Sequence, residues 1–151
     1  MTDKYSKCAE AKMMIRKPAA EVFEALVDPE ITRNFWFTKG SGKLEVNKKV
    51  TWEWEMYNVS AVVIAREIIP HKKIVFEWNE PVRTVEFNFT SLSNGHTFVS
   101  VTECGFDKAG DELLAIIKDS TGGFTTVLDG LKAFLEHGIN LNLIADKFPK
   151  E

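Results

Sequence analysis

Between Val50 and Phe89 apolar and polar residues alternate with a period of two, the pattern of strands that bury one face. Over residues 50–57, Val50, Trp52, Trp54 and Met56 fall on one side, with Thr51, Glu53, Glu55 and Tyr57 on the other. Ile74, Phe76 and Trp78 repeat the pattern against Val75 and Glu77, as do Val85, Phe87 and Phe89 against Thr84, Glu86 and Asn88. Residues 59–69 are mostly apolar and β-branched and read as another strand, whose facing the alternation leaves open. Turns are expected at Pro70-His71-Lys72, Asn79-Glu80-Pro81 and Ser93-Asn94-Gly95, with a last strand over 96–106. The result is an antiparallel meander of five or six strands.

At Asp107 the period changes. Leu113, Ile117, Phe124, Leu128, Leu131 and Leu135 recur at helical spacings, which predicts one long helix from Asp107 to Gly138. About 30 residues at about 1.5 Å each make it roughly 45 Å long. Asp107 suits the N-cap, Asp111 and Glu112 suit the positive end of the helix dipole, and His137 and Gly138 suit the other end. Gly122-Gly123 is anomalous inside it, since each glycine costs about 1 kcal/mol relative to alanine, so a kink or a close approach is expected there.

Ahead of the meander, residues 1–7 are polar and expected to fray, and 9–16 read as a first strand. Pro18 opens a helix that runs to Val27 and stops at Asp28-Pro29. A second short helix over 30–35 leads into Phe35-Trp36-Phe37, and a C-terminal helical piece, Leu141–Ala145, has apolar residues to pack back on the domain or to form a dimer contact. The expected class is α+β, one domain over 1–151: a curved antiparallel sheet, two short helices after strand 1, and one long helix across the sheet. A sheet face this aromatic must be covered, and only the long helix can do it, through Phe124, Leu128 and Leu131.

Composition narrows the function classes. A net charge of −3 offers no overall attraction for phosphate backbones, and the aromatic residues fall on predicted strands rather than among basic ones, so nucleic acid is not an expected partner. No run reaches about 18 apolar residues and the N-terminus lacks a signal-peptide core, so a cytoplasmic, reducing location is expected, with Cys8 and Cys104 as free thiols. Lys39-Gly40-Ser41-Gly42 is a turn rather than a phosphate loop, and His71, His96 and His137 are too scattered for a metal site. No cofactor or metal is expected.

Two polar residues stand at apolar strand positions. Glu103 lies among Val99, Val101 and Cys104, and Arg83 precedes Val85 and Phe87; either could face a cavity, or both could point outward or pair with each other. A carboxylate in an apolar pocket suits proton transfer. The inward stripes, Trp52, Trp54, Met56, Phe76, Trp78, Val85, Phe87 and Phe89, either fill a core or line a void together with Phe124 and Leu128.

The phrases Pro18–Pro29 with Phe35-Trp36-Phe37, Val75-Phe76-Glu77-Trp78, Thr97 to Phe106, and Gly123-Phe124 to Leu131 span nearly the whole chain. In that order they resemble the START-like (SRPBCC) superfamily, the helix-grip fold of the birch-pollen allergen. Within it the chain is most similar to the bacterial family named after the activator of heat-shock protein 90 ATPase. That family often has Gly-Trp where Gly123-Phe124 stands, so any contact made by the indole N–H is lost. The resemblance implies a cavity between sheet and long helix for an apolar small molecule. Its alternatives are a chaperone-binding module and a cyclase or hydrolase for an aromatic or polyketide-like compound. Either a monomer or a homodimer fits. A void of about 300 Å³ or more would mark a ligand site.

Overall fold

A computed structural model describes residues 7–150, so the polar start lies almost wholly outside the described residues. The elements in chain order are β1 (Ala9–Ile15), α1 (Ala19–Val27), α2 (Pro29–Thr32), β2 (Lys39–Gly40), β3 (Lys49–Trp54), a 3-10 turn (Glu55–Tyr57), β4 (Val59–Ile69), β5 (Lys73–Trp78), β6 (Arg83–Ser91), β7 (Thr97–Cys104), α3 (Gly110–His137) and α4 (Leu143–Lys147). The strands form one antiparallel sheet in the order β1-β7-β6-β5-β4-β3-β2. The meander is thus continuous, and β1 closes it against β7. This is the α+β helix-grip architecture, with α3 packed across the sheet.

The alternation translates directly into burial. Val50, Trp52 and Trp54 of β3, Ile74 and Phe76 of β5, Val85, Phe87 and Phe89 of β6, and Val99, Val101 and Glu103 of β7 are buried on the inner face. In β4 a bulge between Ala65 and Glu67 shifts the register, so Val63 and Ala65 point in but the period does not continue. That is why 59–69 could not be faced from the sequence. Lys39–Gly40, expected as a turn, instead pairs with Glu53 and Trp52 as a short edge strand.

The helices differ from expectation at their ends. α2 is a single turn ending at Thr32, and Asp28 accepts the Glu30 N–H at 2.9 Å and starts it one residue early. α3 starts at Gly110 with Ala109 at the cap position, and Asp107 lies outside it. Gly138 ends it in the left-handed region (φ 66°), donating its N–H to Phe134 O at 2.8 Å.

Gly122-Gly123 does not interrupt α3, and the close approach falls elsewhere. A Cβ built on Gly130 would stand 3.1 Å from both Cβ and O of Phe35, whereas one on Gly123 meets nothing within 4 Å. Alanine gains about 1 kcal/mol of helix propensity at either site, but overpacking typically costs 1–3 kcal/mol. Urea midpoints should therefore fall in the order Gly123→Ala above wild type and Gly130→Ala below it.

The C-terminal end of α3 is clamped to β1. Lys132 Nζ donates to Met14 O at 2.9 Å and to Glu136 Oε2 at 2.7 Å, and the Arg16 N–H donates to the same carboxylate oxygen at 2.9 Å. Burial pushes the Glu136 carboxyl up, but the bonds and charges from Lys132 and Arg16 outweigh it and hold it below the ordinary value. A lowered carboxyl stabilises the fold above its unfolded value and loses that contribution as pH falls through the folded one. Glu136→Gln should cost about 1.5–3 kcal/mol at neutral pH, as for bonds to a charged group. The gap to wild type should shrink in acid, below the ordinary value of 4.5, when urea unfolding is repeated across pH.

The expected free thiols are not found: Cys8 and Cys104 are disulfide-bonded. The antiparallel register sets Ala9 opposite Glu103, so the preceding and following residues face one another with Cα atoms 4.5 Å apart. Among the described residues no helix is long and apolar enough to cross a membrane.

Candidate functional site

The two halves of α3 behave differently. From Phe124 to Leu131 it buries Phe124, Val127, Leu128, Gly130 and Leu131, but from Gly110 to Gly123 it buries nothing. Leu128 and Leu131 seat the C-terminal half on the sheet, while the N-terminal half stands away from the sheet end where β3, β5, β6 and β7 present Trp54, Trp78, Arg83 and Glu103. Between them lies a cavity of about 510 Å³. Ile116, Ser120, Gly123, Phe124 and Val127 form its roof, a stripe at helical spacing. Trp36 reaches in from the loop after α2.

Tyr57 and α4 close one side. The Tyr57 hydroxyl reaches Phe148 O at 2.6 Å and Ile144 O at 3.2 Å, and Ile144 and Phe148 both line the cavity. The C-terminal piece therefore packs back on its own domain.

Among the lining polar groups Glu103 is the most enclosed, at 3% exposure. Trp78 Nε1–H donates to its Oε2 at 2.7 Å, and the Ser120 hydroxyl meets its Oε1 at 2.7 Å. No Lys, Arg or His nitrogen among the described residues lies within ion-pair distance of it. Arg83, which could have paired with it, instead lays its guanidinium 4.9 Å from the centre of the Phe106 ring.

Of the residues singled out in the sequence, Trp54, Trp78, Phe124, Arg83 and Glu103 come together around this cavity. The others lie elsewhere. Trp52, Phe76 and Phe87 surround a remnant void with no space for water, Val85, Phe89 and Leu128 are buried in the core, and Met56 borders a separate cavity of about 240 Å³ beside 140–145. Trp52 shows why: its ring stacks on Phe37 at 4.7 Å and is edge-on to Phe76 at 5.2 Å, so close packing leaves it no free face.

Sequence reasoning missed Trp36, whose ring lies 5.0 Å from Trp52, 5.9 Å from Trp78 and 5.7 Å from Phe124 and so joins core to cavity. It also missed Ser120. The signal for Ser120 was present, because it lies four residues before Phe124 on the same helix face. Among the described residues no group of three or more His, Cys, Asp or Glu could hold a metal.

Known proteins share this architecture. A structure of the Staphylococcus saprophyticus protein SSP2350 is 29% identical over 89% of this chain and 95% of that one, with a TM-score of 0.79. DynU16, a putative protein in the dynemicin biosynthetic locus, is 16% identical over 89% of this chain and 49% of that one, TM-score 0.78. The Aha1 dimer from Colwellia psychrerythraea is 17% identical over 87% of this chain and 97% of that one, TM-score 0.74. At these last two identities the likeness is one of fold. No curated protein matches the sequence. The sequence profile described as "Activator of Hsp90 ATPase homolog 1-like protein" matches residues 16–136. With that span matched and the helix-grip architecture in place, the chain belongs to the Activator of Hsp90 ATPase homolog 1-like protein family.

Proposed function

We propose that the chain binds an apolar small molecule in the cavity under the N-terminal half of α3. The observation that carries this is the cavity itself: about 510 Å³, walled by Trp36, Trp54, Trp78 and Phe124, with few polar groups converging on it. Ligand sites are typically clefts of this size, mostly apolar with a small number of placed polar groups. A fold neighbour described as belonging to a biosynthetic locus supports a small-molecule role. The site residues proposed from the sequence then divide by distance: Trp54, Trp78 and Phe124 touch the ligand, Trp52 and Phe76 back the Trp78 ring, and Phe87 backs Phe124.

Native mass spectrometry of the purified protein, before and after incubation with a lipid and aromatic library, tests the reading. One ligand per chain, retained or exchangeable, is expected. No adduct from any member of the library would count against it.

The family match favours a second reading, a protein-interaction module whose outer surface engages a chaperone. Co-purification with the host's heat-shock protein 90 and stimulation of its ATPase would support that role, and failure of both would remove it. A cytoplasmic setting is also a proposal, one that the Cys8–Cys104 bridge makes testable. Disulfides are rare in the cytosol, so thiol trapping in fresh lysate should find both cysteines reduced if the setting is cytoplasmic.

A further inference from the structure

The polar end of the cavity has a chemical sign. Glu103 comes from an inward position of β7 and is almost wholly buried. An indole N–H is only ever a donor, so the 2.7 Å contact from Trp78 Nε1 makes Glu103 Oε2 an acceptor. The Ser120 hydroxyl serves the other oxygen at 2.7 Å. A carboxylate has about four lone-pair sites, and these two neutral donors fill two of them. Acceptor capacity remains on a group that lines the cavity, with no cation among the described residues paired to it.

The rest of the lining reinforces that sign. Asp119, on α3, is a second acid on the lining, and the only cation on the lining among the described residues, Arg83, is laid against Phe106. Aromatic faces from Trp36, Trp54 and Trp78 attract cations rather than anions.

We propose that the Glu103 end of the cavity selects apolar ligands whose polar terminus is a hydrogen-bond donor, a hydroxyl or an ammonium, and rejects those that end in a carboxylate. The inference rests on the cavity being a binding site. A hydroxyl adds a third bond to Glu103, and an ammonium adds one while also supplying a counter-charge. A carboxylate would set two negative groups together in a site partly shielded from water, where like charges repel most strongly.

A competition series tests this with the intact chain. N-phenyl-1-naphthylamine, a dye that brightens in apolar surroundings, is displaced by four molecules of nearly one shape: 2-methylnaphthalene, 2-naphthol, 2-naphthylmethylamine and 2-naphthoate. The hydroxyl or the ammonium compound, or both, should bind about 10- to 100-fold more tightly than the methyl compound, the range expected for a bond to a charged group. Naphthoate should bind most weakly. Which donor gains more tells a neutral terminus from a cationic one.

Glu103→Gln should reduce the ammonium-to-methyl affinity ratio at least tenfold and raise naphthoate relative to the methyl compound. Should that variant not fold, the wild-type series decides alone. Equal affinity for all four compounds, or tightest binding of naphthoate through Arg83, would overturn the selectivity and leave the cavity as a binding site. Binding of none of the probes would remove both.

Discussion

Replacing Trp52 with alanine is expected to cost about 3–5 kcal/mol of stability, the range for large aromatic-to-alanine changes in cores. The residue is 2% exposed, and among the described residues its ring has four aromatic neighbours, with centroid distances of 5.0 Å to Trp36, 4.7 Å to Phe37, 5.2 Å to Phe76 and 6.2 Å to Trp78. Truncation leaves a hole that these rings can fill only by leaving their own packing. Trp54 lies two residues along on the same strand face. Among the described residues its one ring neighbour is Phe37 at 6.2 Å, and it borders the cavity. Trp54→Ala should therefore cost less, because part of its surface has no packing partner to lose. Guanidinium unfolding of both variants checks the order. A Trp52→Ala loss below about 1 kcal/mol would mean that the inner sheet face is not close-packed there.

The second large effect concerns binding. Gly123→Leu should weaken ligand binding more than tenfold while leaving the fold as stable as wild type or more so. A Cβ at this position meets no atom within 4 Å, and Gly123 stands between Ser120 and Val127 on the roof of the cavity. A leucine side chain there projects into space the ligand would occupy, and leucine is favoured over glycine in a helix interior by somewhat less than the about 0.8–1 kcal/mol that separates alanine from glycine. Loss of binding with a retained unfolding midpoint separates occlusion from damage. Unchanged binding in a folded Gly123→Leu protein would place the ligand somewhere else.

Much of the fold was legible because its signals are local. Alternation in 50–57, 73–78 and 84–89 reports which face of a strand is apolar, and helical spacing over 107–138 reports a single long cover. Neither says how far along the sheet the cover stays in contact. Trp52 and Trp54 have the same parity, yet one is packed on four rings and the other borders a void, because α3 stands off the sheet on the N-terminal side of Phe124. The diglycine was visible as an anomaly, but its close-approach role belongs to Gly130, which drew no notice since a lone glycine there carries no pattern.

Long-range pairings were equally hidden. Cys8 and Cys104 are 96 residues apart, and only the register of β1 on β7 brings them together. Without that register two isolated cysteines read as thiols. Glu103 was legible as a polar residue in an apolar strand, but its partners were not: Trp78 comes from β5, two strands away, and Ser120 from α3. Trp36 lies in a loop, where no periodicity marks which way a ring points.

The most direct test of a ligand cavity under α3 is a titration of the wild-type chain and of Gly123→Leu with N-phenyl-1-naphthylamine, followed by dye fluorescence and by quenching of the protein's tryptophans. A single saturable site in the wild type, with one dye per chain and strong quenching from Trp36, Trp54 and Trp78 around it, is expected to disappear in the folded variant. No saturable binding to the wild type, or equal binding to both proteins, would contradict it.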